Sequence, residues 1–104
     1  MKTEMFAIVN EIPFGKVVSY GDVAEQLCMR HDANTSGWLV GRLLSSMSYS
    51  ERDMCPWRRV VNKQGLISTL KLGERGIEQI KLLEKENIEV DGWEIDIKKY
   101  LYKF

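Results

Sequence analysis

The run Pro56-Trp57-Arg58-Arg59-Val60-Val61-Asn62, continuing into Lys63-Gln64-Gly65-Leu66-Ile67-Ser68, constrains this chain more than any other stretch. Met54-Cys55-Pro56 reads as a turn that sets an aromatic directly after proline. Val60 and Val61 favour a strand, and Asn62 to Gly65 supply turn chemistry. Leu66-Ile67 then return as a second strand, which predicts a short hairpin.

A chain of 104 residues carrying such a hairpin is expected to be one domain over 1–104, with a single modest core. Its 44% apolar and 29% charged residues are those of an ordinary globular protein. No apolar run approaches the roughly 20 residues of a membrane span, and no signal-peptide pattern opens the sequence. Cys28 and Cys55 have neither metal-ligand nor redox spacing, so neither a cofactor nor a metal is expected. A reduced, cytoplasmic protein is the plain expectation. Formal net charge is zero, but it is unevenly spread. Six basic residues face two acidic ones between Ser36 and Lys71, while Gly73 to Phe104 holds eight acidic against six basic. A basic middle and an acidic tail suit one phosphate-facing side.

Along the chain, Met5, Phe6, Ile8, Val9 and Ile12 fall at near-helical spacing, with Thr3 as the expected N-cap and Ile12-Pro13-Phe14-Gly15 as the stop. Lys16-Val17-Val18 predicts a short strand. A helix capped by Ser19 or Asp22 follows through Leu27, burying Val23, Ala24 and Leu27. The polar stretch from Arg30 to Ser36 predicts a loop. A second helix over 36–47 has a Leu39, Val40, Leu43, Leu44, Met47 stripe, and Gly37 and Gly41 leave room for close approach. Two short helices so joined resemble a helix-turn-helix, with the hairpin as its wing. A helix over 73–87 turns Ile77, Ile80, Leu82 and Leu83 inward and ends at Asn87. Ile88 and Val90 alternate like a strand, Asp91-Gly92 marks a turn, and Trp93, Ile95 and Ile97 alternate again.

These motifs carry a family resemblance. Pro56-Trp57-x-Arg59-Val60-Val61 resembles the Pro-Cys-His-Arg-Val motif of the O6-alkylguanine-DNA alkyltransferases, with tryptophan in place of the nucleophilic cysteine. Pro-Trp at that point is the mark of the alkyltransferase-like proteins. Ile12-Pro13-x-Gly15-Lys16-Val17-x-Ser19-Tyr20-Gly21-Asp22-Val23-Ala24 is similar to the lead into that family's helix-turn-helix. Val40-Gly41-Arg42 is similar to its recognition helix, and Leu83-Glu84-Lys85-Glu86 to the helix after the wing. The resemblance runs from about Thr3 to Leu101.

It implies an α/β-mixed, mostly helical, winged helix-turn-helix that docks in the minor groove, rotates a damaged base out of the stack and repairs nothing itself. The partner is double-stranded DNA containing O6-alkylguanine, bound by a monomer and flagged for nucleotide excision repair proteins. The implied lesion pocket is Tyr20, Trp57, Arg58, Val60, Leu70 and Lys71. The implied DNA-binding residues are Tyr20, Trp38, Gly41, Arg42, Arg59 and Lys63. Tyr20 takes the place of the tyrosine that promotes rotation; otherwise it is a core tyrosine. Trp57 is either a flat pocket wall or a packed aromatic, and an indole cannot replace an attacking thiolate. Arg58 stands at the position of the activating histidine, where a guanidinium cannot act as a base. It is expected either to pair with Glu86 as a structural brace or to leave two solvated charges.

Two departures from the family bear on specificity. Its intercalating arginine aligns with Trp38, which is either a stacking wedge or a partner-facing aromatic. The arginine that senses the base electrostatically aligns with Leu70, beside Lys71. Two rival functions remain: a module of the same fold without lesion specificity, and an alkyl acceptor using Cys55. A buried structural thiol is the plainer reading of Cys55, because His31, the lone histidine, lies in the loop before the recognition helix.

Overall fold

The computed structural model describes residues 1–67 and 73–104. Helix α1 (Lys2–Val9) is followed by strand β1 (Val18–Ser19) and helices α2 (Tyr20–His31), α3 (Gly37–Ser45) and α4 (Tyr49–Arg52). A 3₁₀ turn (Trp57–Arg59) leads into strand β2 (Val60–Val61). Helix α5 (Glu74–Lys85) and the single turn α6 (Ile97–Tyr100) complete the order. The architecture is mostly helical with a small sheet. No helix among the described residues is long and apolar enough to cross a membrane.

The sheet explains the two valine pairs. β1 and β2 run parallel, with Val18 opposite Val60 and Ser19 opposite Val61. Parallel strands need a long crossover, and here the crossover contains α2, α3 and α4. Side chains alternate across the strands, so the sheet faces two cores. Val18 and Val60 join Met5, Ile8, Val23, Leu27, Val40, Leu44 and Trp57. Val17 and Val61 join Ile67, Leu83, Ile88 and Ile95. Continuous apolar runs, rather than alternation, are what a strand buried on both faces requires.

Ser19 and Asp22 both cap α2, as a reciprocal capping box: Ser19 Oγ accepts from the Asp22 N–H, and the Asp22 carboxylate accepts from the Ser19 N–H. α2 packs on α1 and, most extensively, on α3. Ser36 caps α3 by accepting from the Leu39 N–H. Asn87 ends α5 in the left-handed conformation, φ 64°. The Ile88 N–H then donates to the Leu83 carbonyl and the Asn87 N–H to the Glu84 carbonyl, while Leu83 and Ile88 meet in the second core.

Several expectations are corrected. Thr3 lies inside α1, whose N-cap is Met1, and caps nothing. α2 runs past Leu27 to His31, ending where Asp32 turns left-handed. The turn after Val61 forms, with the Gly65 N–H donating to the Asn62 carbonyl, but Leu66-Ile67 do not return along β2 as a full hairpin. Beyond one bond from the Asn62 N–H to the Leu66 carbonyl, Leu66 bridges Glu94 and the Ile67 N–H donates to the Trp93 carbonyl. Gly65 makes this crossing possible. At φ 84° it sits so close to Ile95 that a Cβ would run into the Ile95 carbonyl oxygen.

Ile77 is 52% exposed, not inward. The inner face of α5 is set instead by Gly76, Gln79 and Leu83. Ile88 is buried, and Asp91-Gly92 turns as expected. Ile97, however, starts the α6 turn instead of continuing a strand.

Candidate nucleic-acid interface

Pro56 cannot donate, so the chain turns tightly around it: the Trp57 N–H donates to the Cys55 carbonyl at 2.8 Å and the Arg59 N–H to the Pro56 carbonyl at 2.9 Å. The resulting 3₁₀ turn drives the Trp57 indole into the first core, leaving it 6% exposed. Val60 is also fully packed there, so it backs the site and does not line it.

Glu86 organises the charges next to this turn. Its carboxylate is nearly buried and accepts from Arg58 Nε at 2.6 Å, from Arg59 Nε at 2.9 and 3.1 Å, and from the Gly15 N–H at 2.9 Å. Burial alone raises the carboxyl pKa, but the Arg59, Gly15 and Arg58 hydrogen bonds outweigh it and hold the pKa below its ordinary value. The Arg58–Glu86 brace is therefore present. Arg59, placed by sequence among the DNA contacts, is drawn inward instead. Its Nη1 also donates to the Ile12 carbonyl at 2.8 Å, and its side chain is 12% exposed.

Two groups support the turn that sequence reasoning left without a role. Gln79, buried on α5, donates from its amide to the Arg58 carbonyl at 3.0 Å and the Val60 carbonyl at 3.2 Å. A glutamine four residues before Leu83 on an otherwise apolar inner face was the available signal. Arg52 on α4 is also buried and has its guanidinium carbon 4.3 Å from the Tyr49 ring centre and 5.8 Å from that of Trp57. Here the signal was Ser48-x-x-Glu51, a capping box that starts the short helix carrying Arg52. A cleft of about 420 Å³ opens beside Trp57, lined in part by Asn10, Tyr49, Arg52, Met54 and Glu78. Tyr20 is not among its lining residues.

Tyr20 belongs to the α2–α3 junction. Gly37 lies so close to α2 that a Cβ would come within 3.0 Å of the Gly21 nitrogen. The Tyr20 ring packs over Gly41, 3.7 Å from the place a Cβ would occupy. From the same helix Trp38 and Arg42 project outward, Trp38 67% exposed and Arg42 stacked 5.1 Å from its ring centre. Lys63 is exposed in the turn after β2. Leu70 and Lys71 lie outside the described residues, as does Ser68.

Chemically, this arrangement offers aromatic faces and cations, and among the described residues no activated nucleophile. Cys55 is buried beside Trp57, and burial pushes its thiol up to about 11, against smaller opposing effects of the Trp57 backbone and Arg58. Among the described residues no group of His, Cys, Asp and Glu is arranged to hold a metal ion.

The model of the 6-O-methylguanine DNA methyltransferase DNA-binding domain matches residues 1–88. The chain belongs to that family. Within it, the chain is 35% identical to a DNA base-flipping protein of Vibrio parahaemolyticus, over 96% of this chain and 93% of the relative. It is 29% identical to alkyltransferase-like protein 1 of Schizosaccharomyces pombe, over 97% and 93% of the two chains. A DNA base-flipping protein of Escherichia coli is 34% identical, over 96% of this chain and 72% of that one. The fold superposes on S. pombe Atl1 in complex with damaged DNA containing O6-carboxymethylguanine with a TM-score of 0.84, at 27% identity, covering 99% of this chain and 94% of the other. The names of these relatives fit a non-enzymatic role. The alkyltransferase-like, winged helix-turn-helix expectation is thus borne out at the level of fold and family.

Proposed function

We propose that this protein recognises O6-alkylguanine in duplex DNA by extruding the damaged base, and leaves the lesion chemically unchanged for nucleotide excision repair. The observation that carries this reading is the site turn itself. Where an acceptor thiolate is needed stands the packed indole of Trp57, and the neighbouring Arg58 is committed to Glu86. Neither can attack an alkyl carbon or take a proton at neutral pH.

Tyr20, held over Gly41 at the α2–α3 junction, rotates the target nucleotide, and Trp57 with Arg58 walls the space that receives it. Arg42 and Lys63, both exposed, supply the salt-dependent phosphate contacts that dominate affinity at such interfaces. Base extrusion costs a few kcal/mol, recovered by stacking and pocket contacts, least for a damaged base. The protein acts as a cytoplasmic monomer, nucleoid-associated in a prokaryote, and the repair proteins are its partners.

The test is a titration of the intact protein against two duplexes that differ by one O6-methylguanine, followed by mass analysis of the protein. Tighter binding to the modified duplex by about tenfold, or 1.4 kcal/mol, with no methyl gained by the protein, supports the reading. Equal affinity leaves a DNA-binding module without lesion specificity, a reading that the exposed Trp38 favours. A methyl group found on Cys55 makes the protein an acceptor.

A further inference from the structure

Arg52 closes α4, the four-residue helix started by the Ser48–Glu51 capping box. Its side chain is 7% exposed and lies against two aromatic rings, those of Tyr49 and Trp57. Aromatic faces attract the cation but leave its N–H groups without strong acceptors. Among the described residues, Arg52 Nη1 donates to Glu78 Oε2 at 3.3 Å, and Arg52 Nε has no hydrogen-bond partner. A guanidinium carries five N–H donors, and a buried cation short of acceptors is costly. Glu78 is a loose partner. Its side chain is 49% exposed, and one oxygen at 3.3 Å is well beyond the roughly 2.7–2.9 Å of a strong charge-assisted bond. Arg52, Glu78 and Trp57 all line the 420 Å³ cleft. Arg58 and Arg59 line it too, but Glu86 already holds both.

We infer that this cleft takes an anionic group and that Arg52 receives it, so that the site favours lesions whose O6 substituent ends in a carboxylate. The inference rests on the base-extrusion reading above, because Trp57 and Arg58, which wall the space for the extruded base, also wall this cleft. A carboxylate presents two oxygens that match the planar guanidinium fork, giving a bidentate pair where Glu78 gives one long bond. Shielding from water strengthens such a pair. Glu78 partners the guanidinium while the cleft is empty, and its exposed side chain turns to solvent when the ligand's carboxylate takes its place. One carboxylate then replaces another, and Arg52 gains acceptors without losing its counter-charge. A neutral substituent in the same cleft offers the guanidinium no charged acceptor. Arg52 is thus a specificity-determining residue that reads the charge of the adduct.

The deciding experiment uses the full chain and fluorescence anisotropy on four duplexes that differ at one guanine. That guanine is unmodified, O6-methyl, O6-carboxymethyl, or O6-carbamoylmethyl, the last being the neutral amide of nearly the same shape. The wild-type chain is expected to bind the carboxymethyl duplex about tenfold more tightly than the carbamoylmethyl one. Arg52→Met, which keeps an apolar stem against Tyr49 and Trp57, is expected to bring that ratio within about twofold of unity. Glu78→Gln is expected to widen it about threefold, because the entering carboxylate no longer displaces another. Glu78 is on the exposed side of the pair, so this variant decides the matter even where Arg52→Met fails to fold. The inference is overturned by equal wild-type affinity for the two duplexes, by a ratio that survives Arg52→Met, or by one that Glu78→Gln leaves unchanged or lowers. An equal loss on all four duplexes in Arg52→Met would assign Arg52 to a backbone phosphate and overturn it as well. Preference for methylated over unmodified DNA with no charge preference removes the anion site and leaves lesion recognition standing. Equal affinity for all four duplexes removes both.

Discussion

Arg59 donates through Nε to both carboxylate oxygens of Glu86, at 2.9 and 3.1 Å, which ties the turn after Trp57 to the end of α5. Arg58 and the Gly15 N–H share the same carboxylate. Glu86→Gln keeps the shape but removes the negative charge facing two arginines, of which Arg59 is 12% and Arg58 25% exposed. Removing one partner of a buried pair costs about 3–5 kcal/mol, so Glu86→Gln is expected to destabilise by about 3 kcal/mol in urea titrations. A loss below about 0.5 kcal/mol would mean that the arginines find water instead.

The same carboxylate sets a pH dependence. Burial raises its pKa, but the Arg59, Gly15 and Arg58 hydrogen bonds lower it further, so the folded value lies below the ordinary 4.5. A depressed carboxyl contributes stability that is fully present above the unfolded value and is lost as pH falls through the folded one. Wild-type stability is therefore expected to fall below about pH 4.5 more steeply than that of Glu86→Gln. Parallel acid profiles for the two proteins would contradict this assignment.

How far the sequence disclosed this arrangement depended on how local each determinant is. The Ser19 cap of α2, read as Ser19 or Asp22, and the Asn87 helix end were legible because each is decided within a few residues. The Arg58–Glu86 brace was legible only through the family motif. The return of Leu66-Ile67 was misread because turn chemistry specifies a reversal, not the strand that accepts it, and Glu94 lies far along the chain. Ile77 was misplaced, and buried Gln79 missed, for a related reason. Periodicity ranks residues by apolarity, whereas two carbonyls of the site turn needed a buried donor. Arg59 was read as a phosphate contact because a sequence does not say which cations are already paired.

Cys55 and Cys28 are expected to differ sharply in reactivity. Cys28 is exposed, whereas Cys55 is buried and its thiol is pushed up to about 11, leaving almost no thiolate at neutral pH. A chromogenic disulfide reagent is expected to label one thiol in the native protein and two in denaturant. Rapid native labelling of both would reopen the acceptor reading of Cys55.

Gly37 and Gly41, four residues apart on α3, are expected to respond oppositely to alanine. At Gly41 the new methyl meets the Tyr20 ring at 3.7 Å, an ordinary contact, in the middle of a helix. Alanine there is expected to be neutral or to stabilise by about 0.5–1 kcal/mol through helix propensity. At Gly37 the methyl meets the backbone of the adjoining helix, at 3.0 Å from the Gly21 nitrogen and 3.3 Å from its Cα. Backbone in a capped helix cannot swing aside as a side chain can, so α3 must shift bodily and carry Trp38 and Arg42 with it. Gly37→Ala is expected to lower affinity for methylated duplexes by about tenfold, or 1.4 kcal/mol, at a stability cost of about 1 kcal/mol. Gly41→Ala should leave affinity within threefold of wild type. Equal DNA affinity for the two variants would mean that the α2–α3 spacing does not set how α3 meets DNA.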